Sequence, residues 1–148
     1  MRRCFLLINF FTLLQLVPCL ADDFQTDSLN MVEYQFSMQA RGNELTGICI
    51  VSEIEEGVSV GTIVNEFGVK ALDFSIEKGK VRVFNVIKPL DRWYIRKVLR
   101  KDFSFIFQHI KSGKDLIIKK RKLSFQSNGD MIMDNERYKI RYTFSVRK

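Results

Sequence analysis

Histidine occurs once in the 148 residues, at His109, and cysteine three times, at Cys4, Cys19 and Cys49. A zinc-type centre draws three or four imidazole or thiolate ligands to one point, and one histidine without a spaced cysteine pair does not supply them. His109 falls near the end of a basic, helix-periodic stretch, where a solvent-facing role fits better than a general base. Cys49 stands in the apolar run Ile48-Cys49-Ile50-Val51 with no basic neighbour to lower its pKa, so it reads as a small buried hydrophobe. No nucleophile elbow, phosphate-binding loop or metal-spaced Cys cluster is present. Carboxylates are the remaining acid–base groups, and Glu66 with Asp73, near one expected turn, is a conceivable pair. With no motif beside it, the chain reads as non-catalytic, with no cofactor and no metal.

The first residues carry a different chemistry. Arg2 and Arg3, followed by a nearly wholly apolar, uncharged stretch from Cys4 to Ala21, have the layout of an export signal. Cleavage after Ala21 would put Cys19 and Ala21 at the two positions that need small side chains, just after the helix-breaking Pro18. Alternatively, Leu16-Val17-Pro18-Cys19 supplies the Leu and Cys of a lipid-attachment signal, with Pro18 where a small residue normally stands, and Cys19 would then be acylated. An uncleaved anchor ranks last, since a membrane span needs about 20 apolar residues and this run is shorter and interrupted by Asn9, Thr12, Gln15 and Pro18. In either processed form Cys49 has no free cysteine to pair with, so no intramolecular disulfide is expected.

Composition frames these groups. At 46% hydrophobic and 28% charged, with 8 Gly and 2 Pro, the chain is neither low-complexity nor of disordered composition. Removing residues 1–21 leaves 127, enough for a single core burying roughly two-thirds of the unfolded surface. The net charge of +7 is unevenly spread: residues 22–79 hold 11 acids and 3 bases, whereas residues 80–148 hold 6 acids and 19 bases. Such asymmetry bears on partners, not on fold. For an exported chain the polyanions within reach are membrane headgroups, surface polysaccharides and acidic proteins. Nucleic acid is not an expected partner.

The polar segment from Asp22 to about Glu33 reads as a flexible leader, and a single domain is expected over residues 34–148. Period-2 alternation then dominates. Tyr34, Phe36, Met38 and Ala40 form one face of a first strand; Gly42-Asn43 turns it into a second from Leu45 to about Glu53. A third runs from Val58 to about Val64, a fourth carries Leu72, Phe74 and Ile76, and a fifth spans Val81 to Ile87. The connections are too short for parallel crossovers, which makes this an antiparallel meander. After Pro89 the period changes: Ile95, Leu99, Phe103, Ile106 and Ile110 recur at helical spacing, with Arg92, Arg96, Lys97, Arg100 and Lys101 on the other side. One or two helices fit, and Asp102 is expected to cap a second, or else to stand as a charge at the edge of the buried stripe. Strands return at about Leu116 to Phe125 and at Met131 to Met133, around the turn Ser127-Asn128-Gly129-Asp130. The last strand sets Tyr138, Ile140, Tyr142, Phe144 and Val146 against Arg137, Lys139, Arg141, Thr143, Ser145 and Arg147.

The fold expected is mainly β (α+β): a curved antiparallel sheet or half-barrel with one or two helices packed on it. Two surfaces of it could bind. Phe36, Met38, Leu72, Phe74, Tyr138, Ile140, Tyr142 and Phe144 would line its concave face, either as filled core or as a cavity for a lipid or acyl chain. Lys119, Lys120, Arg121 and Lys122, with Arg137, Lys139 and Arg141, would form a cationic sheet face for an anionic membrane surface or an acidic protein, unless they are only a solvated face that blunts edge pairing.

The runs Leu45-Thr46-Gly47-Ile48-Cys49-Ile50-Val51, Asn65-Glu66-Phe67-Gly68 with Leu72-Asp73-Phe74, and Leu99-Arg100-Lys101-Asp102-Phe103 resemble those of uncharacterised small bacterial cell-envelope lipoproteins, over about residues 34–110. The resemblance implies a lipidated Cys19 and a periplasmic or outer-membrane-associated location, and brings no activity with it. The order of sheet, helix and returning strands is also similar to the half-barrels of periplasmic lipoprotein carriers and outer-membrane lipoprotein receptors, an architectural likeness that fixes no function. The expectation is therefore a non-catalytic envelope protein holding an acyl chain in the curved sheet, or alternatively a filled-core module docking through its basic face.

Overall fold

The computed structural model describes residues 30–147. The export segment with Cys19, most of the leader and Lys148 lie outside the described residues. Nine strands form one antiparallel sheet: β1 (Met31–Ala40), β2 (Asn43–Glu55), β3 (Val58–Asn65), β4 (Lys70–Glu77), β5 (Lys80–Phe84), β6 (Leu116–Ile118), β7 (Arg121–Phe125), β8 (Met131–Asn135) and β9 (Ile140–Val146). Between β5 and β6 lies one helix, α1 (Trp93–His109), flanked by single 3-10 turns at Lys88–Leu90 and Ile110–Ser112. The strand order is β5-β4-β3-β2-β1-β9-β8-β7-β6, an open sheet with β5 and β6 at its edges. The mainly β fold with a helix packed on the sheet is thus the observed one.

Register explains which side is core. Phe36 and Met38 of β1 pair with Gly47 and Leu45 on one flank and with Phe144 and Tyr142 on the other. Since side chains alternate along a strand and directly paired residues share a face, the apolar set is continuous: Cys49, Ile63, Leu72, Phe74 and Val81 carry it toward β5, Met131, Met133 and Leu123 toward β7. All of these are buried. Each large side chain buried here contributes about 1.5–3 kcal/mol. Gly61 is needed on this face, because a Cβ there would run into the Phe74 ring, which lies across β3.

Helix α1 closes the same face. Along β5 it covers a strand edge: Ser104 Oγ accepts from the Val81 N–H at 2.9 Å, and Gln108 Nε2 donates to the Gly79 carbonyl at 2.9 Å. On the other side Phe103 meets Phe74 and Tyr142 edge-on, with ring centroids 5.4 and 5.8 Å apart, and Phe107 stacks on Phe74. One helix therefore touches the β5 edge and the inner face of β9 at once, which requires the sheet to curve around it.

Several boundaries differ from the sequence reading. The leader does not reach Glu33: β1 starts at Met31, and the Arg147 N–H donates to the Glu33 carbonyl beside it. The fifth strand stops at Phe84, where Asn85 turns to a φ of 49° ahead of the 3-10 turn holding Pro89. The stretch Leu116 to Phe125 is two strands, because Lys119 and Lys120 both adopt positive φ, 47° and 65°, and form the hairpin turn. Likewise β9 begins at Ile140. Arg137, Tyr138 and Lys139 belong to the turn before it, with Lys139 at φ 55°. Asp102 caps nothing: it sits inside an unbroken helix and is fully buried.

Candidate functional site

The buried stripe of α1 includes one carboxylate. Asp102 follows Leu99 by three residues and precedes Ile106 by four, so helical geometry aims it at the core. It is met by residues of three strands that share the inner face: Arg121 of β7, Asn135 of β8 and Tyr142 of β9. Arg121 Nε donates to Oδ1 at 2.7 Å, Asn135 Nδ2 donates to both oxygens at 2.9 Å, and the Tyr142 hydroxyl donates to Oδ2 at 2.9 Å. Burial pushes the Tyr142 phenol well above its ordinary pKa. The Asp102 charge and hydrogen bond push the same way, with Arg121 opposing.

This cluster lacks the access that catalysis needs. The Asp102 side chain is 0% exposed, and among the described residues no buried side-chain polar atom is without a partner. Four hydrogen bonds leave Asp102 no vacancy for a substrate proton, and the group fixes α1 against β7, β8 and β9. Cys49 is as expected a buried thiol, its pKa pushed up to about 12 by burial, which removes the thiolate a nucleophile requires. The carboxylate pair does not act as one: Glu66 accepts from Thr46 Oγ1, while Asp73 accepts from Lys70 Nζ and Asn85 Nδ2. Partial desolvation raises the Asp73 pKa, and the hydrogen-bonding groups of Asn85, Thr62 and Lys70, with the Lys70 charge, outweigh it, leaving the group below its ordinary value. His109 stacks edge-on with Phe105 at the helix end. Among the described residues no group of three His, Cys, Asp or Glu could hold a metal.

Of the residues expected to line an apolar cavity, Phe74, Tyr142 and Phe144 meet the Phe103 or Phe107 ring of α1, and all but Tyr138 belong to the core or pack against it. Phe36, Leu72, Phe74, Tyr142 and Phe144 are at most 1% exposed and Met38 is buried; Ile140 and Tyr138 are half-buried, the latter in its turn. The residues expected to form a basic sheet face are dispersed. Arg121 points inward to Asp102, and Arg141 is held by Asp134 through two hydrogen bonds at 2.7 and 3.0 Å. Lys119, Lys120, Arg137 and Lys139 stand exposed on turns at one end of the sheet. Lys122, Lys139 and Arg141 do line a groove of about 660 Å³ there, but with Glu44, Asp134 and Glu136 among its walls.

A second groove, of about 510 Å³, has only one sign of charge. It lies between β5 and the outer side of α1 and is lined by Arg82, Val83, Trp93, Arg96, Lys97 and Arg100. Trp93 is 76% exposed and Tyr94 54%, their rings edge-on at 6.0 Å. The helical period already puts the basic residues together; the aromatic pair at the head of the helix is the signal sequence reasoning passed over. The chain matches no family model, and no curated protein matches it.

Proposed function

We propose that this is an exported, non-catalytic module of the cell envelope whose core is filled and which docks an anionic partner, an acidic protein or a membrane surface, through exposed cations. The observation that carries the reading is the seating of α1. It occupies the concave face, so that the aromatic residues otherwise available to an acyl chain contact Phe103 and Phe107 instead. Admitting an acyl chain there would require α1 to leave and Asp102 to lose its partners. The exposed lysines and arginines of α1 and of the turns meanwhile remain in water, where they cost nothing in desolvation and attract negative charge over about a Debye length.

Titrating the full chain with a fluorescent fatty acid tests the filled core. No saturable uptake is expected; saturable uptake that Ile140→Trp abolishes would overturn the reading in favour of a ligand beneath α1. Docking predicts retention on polyglutamate or on phosphatidylglycerol vesicles at low salt and release as salt is raised. Retention on neither would end it.

A further inference from the structure

We propose that the outer side of α1, with the adjoining edge of β5, is the docking surface, and that its partner is an anionic lipid bilayer. This deepens the docking reading and rests on it. Trp93, Lys97 and Arg100 follow one another at spacings of four and three along the exposed side of the helix, and Lys101 stands four residues beyond Lys97. Arg82 of β5 faces them across the groove. Among the described residues Arg96 pairs with Asp91 at 2.6 Å, while Arg82, Arg92, Lys97, Arg100 and Lys101 make no ion pair. No acid lines the groove. The mixed-charge groove at the other end of the sheet offers no comparable field.

Charge alone would suit any polyanion, and the aromatic pair decides between them. Tryptophan and tyrosine, apolar in body and polar at the tip, settle in the headgroup layer of a bilayer, and flanking Lys and Arg lay their stems on the apolar region while their charges meet phosphate. A ring pair exposed this far, beside cations on an open groove, matches that layer. Docked so, the helix would lie along the surface with its apolar stripe still in the sheet.

The chain's single tryptophan is Trp93, so its emission reports this site and nothing else. The full chain is mixed with phosphatidylcholine vesicles with and without phosphatidylglycerol. A blue shift is expected with the anionic vesicles only, reversed by salt. Replacing Lys97, Arg100 and Lys101 together by glutamine keeps helix propensity and should weaken the affinity about a hundredfold, at roughly fivefold per basic residue near an anionic surface. Unchanged far-ultraviolet circular dichroism would confirm that the variant folds. A shift the triple variant leaves undiminished, or none with anionic vesicles, overturns the proposal. If Trp93 is silent but phosphatidylglycerol-dependent flotation is lost with Lys119→Gln and Lys120→Gln, docking stands and only its placement on α1 fails. If polyglutamate shifts Trp93 while vesicles do not, the surface serves an acidic protein and the bilayer is excluded. If neither vesicles nor polyglutamate binds by any face, the docking reading falls as well.

Discussion

Two aspartate–arginine pairs in this protein are made of the same groups at nearly the same distance and differ in where they lie. Asp102 and Arg121 meet at 2.7 Å on the inner face of the sheet, the aspartate side chain 0% exposed; Asp134 and Arg141 meet at 2.7 Å on the outer face, the arginine 56% exposed. The outer pair is a cross-strand contact between directly opposed residues of β8 and β9, legible as soon as the register is known. The inner pair joins a helix to a strand 19 residues away and recruits Asn135 and Tyr142. Water can replace either partner of the outer pair. Nothing replaces Asp102.

The largest effect should follow from breaking the inner pair. Asp102→Ala leaves Arg121, the Asn135 amide and the Tyr142 hydroxyl without the carboxylate they share, and removing one partner of a buried ion pair costs about 3–5 kcal/mol. Urea unfolding followed by circular dichroism measures this. A loss no larger than that of a surface pair would mean that Arg121 and its neighbours escape to water, and that the inner cluster does not position α1.

A smaller, pH-dependent effect isolates one member. Tyr142→Phe keeps the ring against Phe103 and deletes one hydrogen bond to a charged acceptor, at about 1.5–3 kcal/mol near neutral pH. Because the folded-state pKa of Tyr142 is raised above the unfolded value near 10, the native state holds the phenolic proton longer than the unfolded chain does. That contribution is complete below pH 10 and declines as pH rises beyond it. The phenylalanine variant has no such proton, so the stability gap between the two proteins should narrow above pH 10. A gap independent of pH would place the Tyr142 hydroxyl outside the cluster.

How far the sequence discloses this contrast depends on the range of each interaction. The strands of the first meander follow from alternation within each segment, and the helix from its 3.6-residue period, so Phe36, Leu72, Phe103 and Phe144 can be assigned to the core one segment at a time. Arg121 and Asn135 carry the same local signal: Arg121 is in phase with Leu123 and Phe125, and Asn135 with Met131 and Met133. Reading residues 119–122 as one basic run hides it, because two lysines at positive φ make a turn where Asn-Gly is the usual pair. The meeting of Asp102 with Tyr142, 40 residues apart, has no local signal, since it depends on β9 pairing with β1 instead of with β5. The exposed Trp93 is hidden for the opposite reason: composition gives its presence, and only the fold shows that it stands in water beside Tyr94 at the groove.

The smallest effect sharpens the comparison from the other side. Asp134→Ala removes a two-point contact with Arg141, yet both groups already reach solvent, so the loss should be at most about 1 kcal/mol and should shrink as salt is added. The geometry of the pair is as good as that of the inner one, which leaves burial and the added donors Asn135 and Tyr142 as the differences. If Asp134→Ala and Asp102→Ala cost the same, distance governs both pairs and the inner cluster is no anchor. If the outer loss vanishes in salt while the inner one persists, the difference lies in the solvent each carboxylate must give up. The arginine freed by Asp134→Ala also leaves Lys122, Lys139 and Arg141 facing fewer acids in their groove. That variant should therefore bind phosphatidylglycerol vesicles more tightly at the β8–β9 end without moving the Trp93 emission, which separates the charge of the turns from the docking side of α1.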